Sequence, residues 1–157
     1  MQKQPAFLGQ WAWLFPLTYL VHIAEEYWCG VGFYRWIGRV VGAELHAQTF
    51  LNLNAIFWIV MTAAVASALW TRAADWLITT LGAIVLINGL AHTIGSLLTQ
   101  SYSPGLVSGL CLWIPLGSWT LRRAWLCGRR IALWIGVLVG LLLHALVSWT
   151  AISLTKL

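Results

Sequence analysis

Long apolar stretches alternate with short polar breaks along most of the chain. A helix needs about 20 apolar residues to cross the hydrocarbon core of a membrane, and all but the fourth of the five stretches are close to that length. The pattern predicts an all-α polytopic membrane protein, a single transmembrane domain over residues 1–157 built as a bundle of five transmembrane helices. The predicted spans cover about 8–28, 51–70, 76–98, 106–121 and 132–153.

The segment between the first two spans, residues 30–50, has a different pattern. It mixes aromatic residues with charged ones, and it is long enough for an amphipathic helix at the level of the lipid headgroups. We therefore predict an interfacial segment there. Its aromatic and ionisable residues are Tyr34, Trp36, Arg35, Arg39, Glu44 and His46.

Composition supports the membrane assignment. Hydrophobic residues make up 61% of the chain and charged residues only 8%, with a mean hydropathy of +0.82, whereas about a quarter of an ordinary soluble domain is charged. The net charge of +5 would suggest a nucleic-acid partner in a soluble protein, but the basic residues lie in the predicted loops, so no nucleic acid is expected. The three cysteines are far apart, which argues against a disulfide framework and a thiolate zinc site.

The basic residues of the loops predict the orientation, because Lys and Arg are retained on the cytoplasmic side. The segment Arg122–Arg130 carries four arginines, whereas the loop 100–105 has no Lys or Arg. Placing the arginine-rich segment inside puts the N-terminus inside and the C-terminus outside. Six basic residues then lie inside (3, 72, 122, 123, 129 and 130) against three outside (35, 39 and 156).

Several predicted spans contain ionisable or amide side chains, and each unpaired charge at mid-depth costs about 2.5–3.5 kcal/mol on insertion scales. Glu25 and Glu26 follow His22 by three and four residues, so all three share one face of the first helix. In the predicted orientation the polar residues of four spans fall in the extracytoplasmic half of the membrane. We therefore predict one buried polar site there, formed by His22, Glu25, Glu26, Asn52, Asn54, Asn88, His92 and His144.

Two carboxylates and three imidazoles are ligands that suit a divalent transition metal, namely zinc, iron or manganese. We assign His22, Glu25 and His92 as metal ligands, with His144 as a fourth. Glu26 is assigned as a catalytic group, either a bridging ligand or the general base acting on a metal-bound water. Without a metal, the same groups can perform acid/base catalysis, or they can pair with one another and only hold the helices together.

Two further residues are assigned to catalysis. Asn88 precedes His92 by one helical turn and would orient a substrate or stabilise a developing oxyanion. Tyr102 lies in the extracytoplasmic loop 100–105, where its hydroxyl would sit at the mouth of the site and donate a hydrogen bond to a substrate or intermediate.

Gly136 and Gly140 form a pair of small residues one turn apart in the last span. Such pairs allow two helices to approach closely. Packing inside the chain is one interpretation, and a homodimer through Gly136 and Gly140 is the other.

Three sequence elements occur in order from the first span to the start of the fourth: His22-Ile-Ala-Glu25-Glu26, His92 and Tyr102-Ser-Pro104-Gly105. The combination resembles the HXXEE family of small bacterial integral membrane proteins, which is named for the first element and also shows a further histidine and a YxPG element. The resemblance implies a place in the bacterial cytoplasmic (inner) membrane. It supports the predicted site, and the family carries no established activity.

These observations predict a membrane-embedded, metal-dependent enzyme that acts on a lipid or another hydrophobic substrate by hydrolytic or acid/base chemistry. One alternative is a proton or metal-ion transporter in which the carboxylates and imidazoles form a relay. Apart from serines and threonines, the cytoplasmic halves of the second, third and fifth spans show no matching polar chain, which argues against a relay. A non-catalytic metal or ligand sensor is the other alternative.

Overall fold

The computed structural model describes residues 6–42, 45–71 and 74–154, and within these ranges the regular structure is entirely helical. A single 3-10 turn, Gln10–Trp13, leads into the first helix. The α-helices, in chain order, are α1 (Leu14–Trp28), α2 (Phe33–Val41), α3 (Ala47–Thr71), α4 (Asp75–Thr99), α5 (Leu106–Ser108), α6 (Ile114–Leu126) and α7 (Arg130–Leu154).

Three helices are long and apolar enough to cross a membrane: Ala47–Thr71, Asp75–Thr99 and Arg130–Thr150. They coincide with the second, third and fifth predicted spans, so the prediction of an all-α membrane protein is confirmed. The other two predicted spans are shorter or interrupted. The α1 helix has 15 residues, and a π turn at Gly109–Trp113 separates α5 from α6.

The π turn has a local cause in the sequence. Pro115 follows it at the start of α6, and proline has no backbone N–H to continue an α-helical hydrogen-bond ladder. A π turn is one way in which a helix absorbs such a break. Gly109 in the π turn packs against Gly89 of α4. A Cβ added to Gly89 would lie 3.0 Å from the backbone oxygen of Gly109.

The α2 helix lies in the segment predicted to be interfacial. Its buried residues are Trp36 and Gly38, while Arg35 and Arg39 are exposed. The helix ends at Gly42, which adopts a left-handed conformation with φ of +70°. A glycine at this position ends helices commonly, because it carries no Cβ to strain a positive φ.

The α4 helix lies at the centre of the bundle and packs against α6 and α7. Gly136 and Gly140 of α7 both face α4: their α-carbons lie against Thr79 and Ala83, respectively. The Thr79 hydroxyl also donates to the carbonyl of Ala132 at 2.7 Å. The pair of small residues is therefore covered inside the chain.

Charged residues occupy the two ends of the bundle. At one end Asp75, the first residue of α4, pairs with Arg129 at 2.9 Å, and Arg123 donates to the carbonyls of Ala6 and Phe7. At the other end lie the loop after α4 and the polar residues of α1. His92 is 17 residues after Asp75, about 25 Å along the helix at 1.5 Å per residue. Three basic residues used to predict the orientation, Lys3, Arg72 and Lys156, lie outside the described residues, as does Glu44.

Candidate functional site

Two imidazoles and one carboxylate meet between α1 and α4. The Nε2 atom of His92 lies 3.2 Å from Oε1 of Glu26, and the Nε2 atom of His22 lies 3.6 Å from the same oxygen. All three side chains are buried, with exposed fractions of 1% for His22, 5% for Glu26 and 4% for His92. One ligand-type atom from each residue lies within 4.8 Å of the other two, so these residues can hold a metal ion. We call them the His-Glu-His triad.

The far nitrogen of each imidazole is held by a serine. Nδ1 of His22 lies 2.7 Å from the Ser108 hydroxyl, and Nδ1 of His92 lies 2.9 Å from the Ser103 hydroxyl. These contacts fix both rings with their Nε2 atoms facing Glu26. In the tautomer with the proton on Nδ1, each imidazole donates to its serine and presents a lone pair at Nε2, as metal-binding histidines do.

One nitrogen of the triad makes no hydrogen bond. The Nε2 atom of His22 is buried and has no hydrogen-bond partner among the described residues. A buried polar atom without a partner costs about 1–3 kcal/mol, so such atoms are rare unless a further group completes the site. The triad therefore combines residue types that can bind a metal with one buried nitrogen that makes no hydrogen bond.

The loop after α4 closes directly over the two imidazoles. Gly105 has φ of +101°, a conformation that side chains with a Cβ rarely adopt. A Cβ added to Gly105 would lie 2.7 Å from Cε1 of His92 and 2.9 Å from Cε1 of His22. Only glycine therefore allows the loop to contact both rings.

Glu25 is directed to the loop and not to the triad. Its carboxylate accepts hydrogen bonds from the Tyr102 hydroxyl at 2.5 Å, from the backbone N–H of Val107 at 2.9 Å and from that of Ser108 at 2.7 Å. The two amides belong to the first turn of the helical segment that begins at Leu106, so Glu25 caps that segment from another helix. The geometry favours Glu26 over Glu25 as the carboxylate of a metal site.

The hydrogen bond to Glu25 also fixes the position of Tyr102. Its phenol is partly exposed, and burial together with the hydrogen bond to the Glu25 carboxylate raises the pKa of Tyr102 above its usual value. The phenol therefore stays protonated at physiological pH and acts as a hydrogen-bond donor to Glu25. Its ring also lies against Gly30, the first turn residue after α1 with a positive φ.

Aromatic rings form the walls of the site. The Trp113 ring stacks on His22 with a centroid distance of 3.6 Å, and the Tyr19 ring stacks on Trp113 with a centroid distance of 5.6 Å. Phe33 of α2 lies 5.1 Å from His92. Trp113 is one of twelve tryptophans, and nothing in the sequence distinguishes it from the rest. Ser103 could have been noticed, because it lies inside the YxPG element.

The remaining predicted residues do not belong to the triad. Asn88 is one turn before His92, and its Oδ1 atom is buried without a hydrogen-bond partner among the described residues. His144 of α7 is half-buried and is not part of the triad. Asn54 accepts a hydrogen bond from the Tyr19 hydroxyl at 2.8 Å, whereas Asn52 is exposed.

Comparison with known families gives a match over residues 13–120 to the family described as protein of unknown function with HXXEE motif. The chain belongs to the HXXEE family. The matched region contains the His-Glu-His triad, both serines that hold it, and the loop that closes over it. No curated protein and no solved structure matches the chain.

The residues named in the HXXEE motif make different contacts in the structure: Glu26 faces the histidines and Glu25 does not. His22 and Glu26, four residues apart, face His92 across the interface between α1 and α4. Glu25 is directed away from the triad and accepts a hydrogen bond from Tyr102 of the YxPG element. In this chain, contacts therefore connect the histidine and both glutamates of the motif to the tyrosine and glycine of the YxPG element.

Proposed function

We propose that this protein binds a divalent transition metal, zinc, iron or manganese, at His22, Glu26 and His92. We further propose that it is an enzyme that uses the metal for hydrolytic or acid/base chemistry on a lipid or other hydrophobic substrate. The observation that carries the proposal is the buried His-Glu-His triad with its far imidazole nitrogens fixed by serine hydroxyls.

The spacing of the triad fits a small metal ion. Ligand atoms about 2.0–2.1 Å from a tetrahedral centre are about 3.3 Å apart. The two nitrogen-to-oxygen distances in the triad are 3.2 and 3.6 Å, close to that value. Two histidines and one carboxylate also leave coordination positions open, which is the arrangement of catalytic zinc and non-haem iron sites.

A metal bound here would activate water or polarise a substrate carbonyl or phosphoryl group. Asn88, whose buried amide oxygen lies one turn from His92, is proposed to orient the substrate. His144 lies on α7, which packs against α4, and is proposed as a further ligand or proton carrier. Glu25 and Tyr102 are proposed as positioning residues, because they act on the site through the loop that carries Ser103 and Ser108.

The expected arrangement in the membrane follows from the positions of the polar residues. We propose five spans, with α1 and the α5–α6 segment completing the bundle around the three long helices, and with the arginine-rich end in the bacterial cytoplasm. The triad then lies in the extracytoplasmic half of the membrane. A site at that depth is reached from the hydrocarbon region, which supports a hydrophobic substrate.

Metal content tests the first part of the proposal. The full-length protein, purified in detergent and incubated with zinc, iron(II) or manganese(II), is desalted and analysed by inductively coupled plasma mass spectrometry. We expect about one equivalent of one metal in the wild type and a loss in Glu26→Gln and His92→Ala, because the triad would keep only two ligands. Asp75→Asn is the matched control, since it makes the same carboxylate-to-amide exchange at the far end of α4, about 25 Å along the helix from His92.

A well-folded wild type that retains none of the three metals would reject the metal site and leave paired-acid chemistry.

The enzymatic part has its own test. Metal-loaded protein in nanodiscs made from bacterial lipid extract is incubated and the lipids are profiled by mass spectrometry. A lipid conversion present in the wild type and absent in Glu26→Gln supports an enzyme, whereas metal flux through proteoliposomes that Glu26→Gln abolishes supports a transporter.

A further inference from the structure

A groove lies between α2 and the start of α3, separate from the triad. It has a volume of about 570 Å³, within the range of small-molecule sites. We call it the α2–α3 groove. The side chains and backbone that line it include Tyr34, Arg35, Arg39, Leu45, His46 and Ala47.

The groove is basic. Arg35 and Arg39 are four residues apart on α2, so their side chains project from one face of the helix, and both are exposed. His46, also exposed, lines the groove from the connection to α3. Guanidinium groups present several N–H donors in a plane and bind phosphate oxygens in a bidentate manner, which makes paired arginines a typical phosphate site.

Among the described residues that line the groove there is no carboxylate. The chain has only four acidic residues, and three of them interact with residues outside the groove: Glu25, Glu26 and Asp75. The fourth, Glu44, lies outside the described residues, in the chain between Gly42 and Leu45, which both line the groove. The arginines therefore have no described acidic partner in the groove.

The opposite face of α2 attaches it to the end of the bundle that holds the triad. The Trp36 indole donates to the Ser101 hydroxyl at 3.0 Å, and its ring lies against Gly95 of α4. Phe33 contacts His92. A short helix with a buried aromatic residue and exposed arginines has the pattern of helices that lie at the level of the lipid headgroups.

These observations together point to a lipid phosphate. We propose that the α2–α3 groove binds the phosphate group of an anionic phospholipid through Arg35, Arg39 and His46. This site is separate from the metal site and does not depend on it. Arg35 and Arg39 hold the phosphate between their guanidinium groups, and the acyl chains remain in the surrounding bilayer.

A photoactivatable phosphatidylglycerol tests the proposal. The full-length protein in phosphatidylcholine nanodiscs that contain a small fraction of this lipid is illuminated and digested, and the adducts are mapped by mass spectrometry. We expect adducts in the segment 34–47 of the wild type. In Arg35→Gln/Arg39→Gln they should fall on the order of tenfold, because two charged phosphate contacts are lost. Arg35→Lys/Arg39→Lys, which keeps the charge, should retain part of the signal.

The matched control is Arg122→Gln/Arg130→Gln, which removes two exposed charges at the other end of the bundle. It should leave the adducts in the segment 34–47 unchanged. The proposal is wrong if the wild type gives no adducts there or if the control variant lowers them equally. It is also wrong if inorganic phosphate at millimolar concentration displaces the lipid, since the groove would then be a site for soluble phosphate. Circular dichroism of every variant checks that the fold is retained.

Discussion

Gly105 lies so close to His92 that a methyl group on its α-carbon would be 2.7 Å from the Cε1 atom of the imidazole. The same methyl group would be 2.9 Å from Cε1 of His22. One glycine therefore sets the distance between the loop and both histidines of the triad. The YxPG element and the HXXEE motif are linked by this contact and by the hydrogen bond between Tyr102 and Glu25.

The Gly105→Ala variant should displace the imidazoles and lower stability. Two effects add: the cost of a Cβ at positive φ, about 1–2 kcal/mol, and overpacking against two buried rings, about 1–3 kcal/mol. Gly42→Ala is the matched control, because Gly42 also has a positive φ, and nothing lies within 4 Å of its added Cβ. Thermal unfolding in detergent should show a larger loss for Gly105→Ala, and equal losses would contradict the contact.

Exchanging each glutamate for glutamine should separate the two carboxylates of the motif. Glu26→Gln should abolish metal retention, because Glu26 is the carboxylate of the triad. Glu25→Gln should retain the metal but lower the free energy of unfolding by about 1–2 kcal/mol, because it weakens the cap on the helical segment at Leu106. Metal analysis and thermal unfolding of both variants check this, and loss of metal in Glu25→Gln alone would reverse the assignment.

Removing the serine hydroxyls should weaken the metal site without removing a ligand. Ser103→Ala and Ser108→Ala each free the Nδ1 atom of one imidazole, and loss of such an outer partner typically lowers metal affinity about 10- to 100-fold. Competition with a chromophoric chelator measures the affinity. Ser148→Ala, at an exposed position of α7, should have no effect. An unchanged affinity in both loop variants would show that the hydroxyls do not orient the rings.

Larger side chains at Gly136 or Gly140 should destabilise the chain and leave its oligomeric state unchanged. Both glycines lie against α4, so Gly136→Val and Gly140→Val would force α7 away from Thr79 and Ala83. Overpacking of this kind costs about 1–3 kcal/mol or more. Ala145→Val, on the exposed side of α7, is the control. Light scattering in detergent would reveal a dimer that depends on the glycines, and its loss would favour an interface between copies.

The sequence was sufficient for much of the fold, because length and hydropathy determine whether a helix can cross a membrane. It predicted the long helices α3, α4 and α7 and the helix in the interfacial segment. It did not predict the 3-10 turn before α1 or the π turn before Pro115, since these depend on local hydrogen bonds that hydropathy does not reflect.

The candidate site could be predicted only as a set of residue types at similar depth. The spacing of His22 and Glu26 places them on one helical face, and that much follows from the sequence. Which of two adjacent glutamates faces His92 depends on the rotation of α1 against α4, which is decided by packing between distant segments. The roles of Trp113 and Ser108 depend on the same packing and therefore had no local signal.

The triad draws its members from distant parts of the chain, and this has a consequence for biosynthesis. His22 and Glu26 leave the ribosome first, and His92 follows with the end of α4, before the loop with Ser103 and Ser108. A nascent chain that has inserted only α1 and α3 carries two of the three ligands and cannot close the site. If the proposed metal binds at the triad, it would be bound only after α4 and the segment that follows it have been inserted.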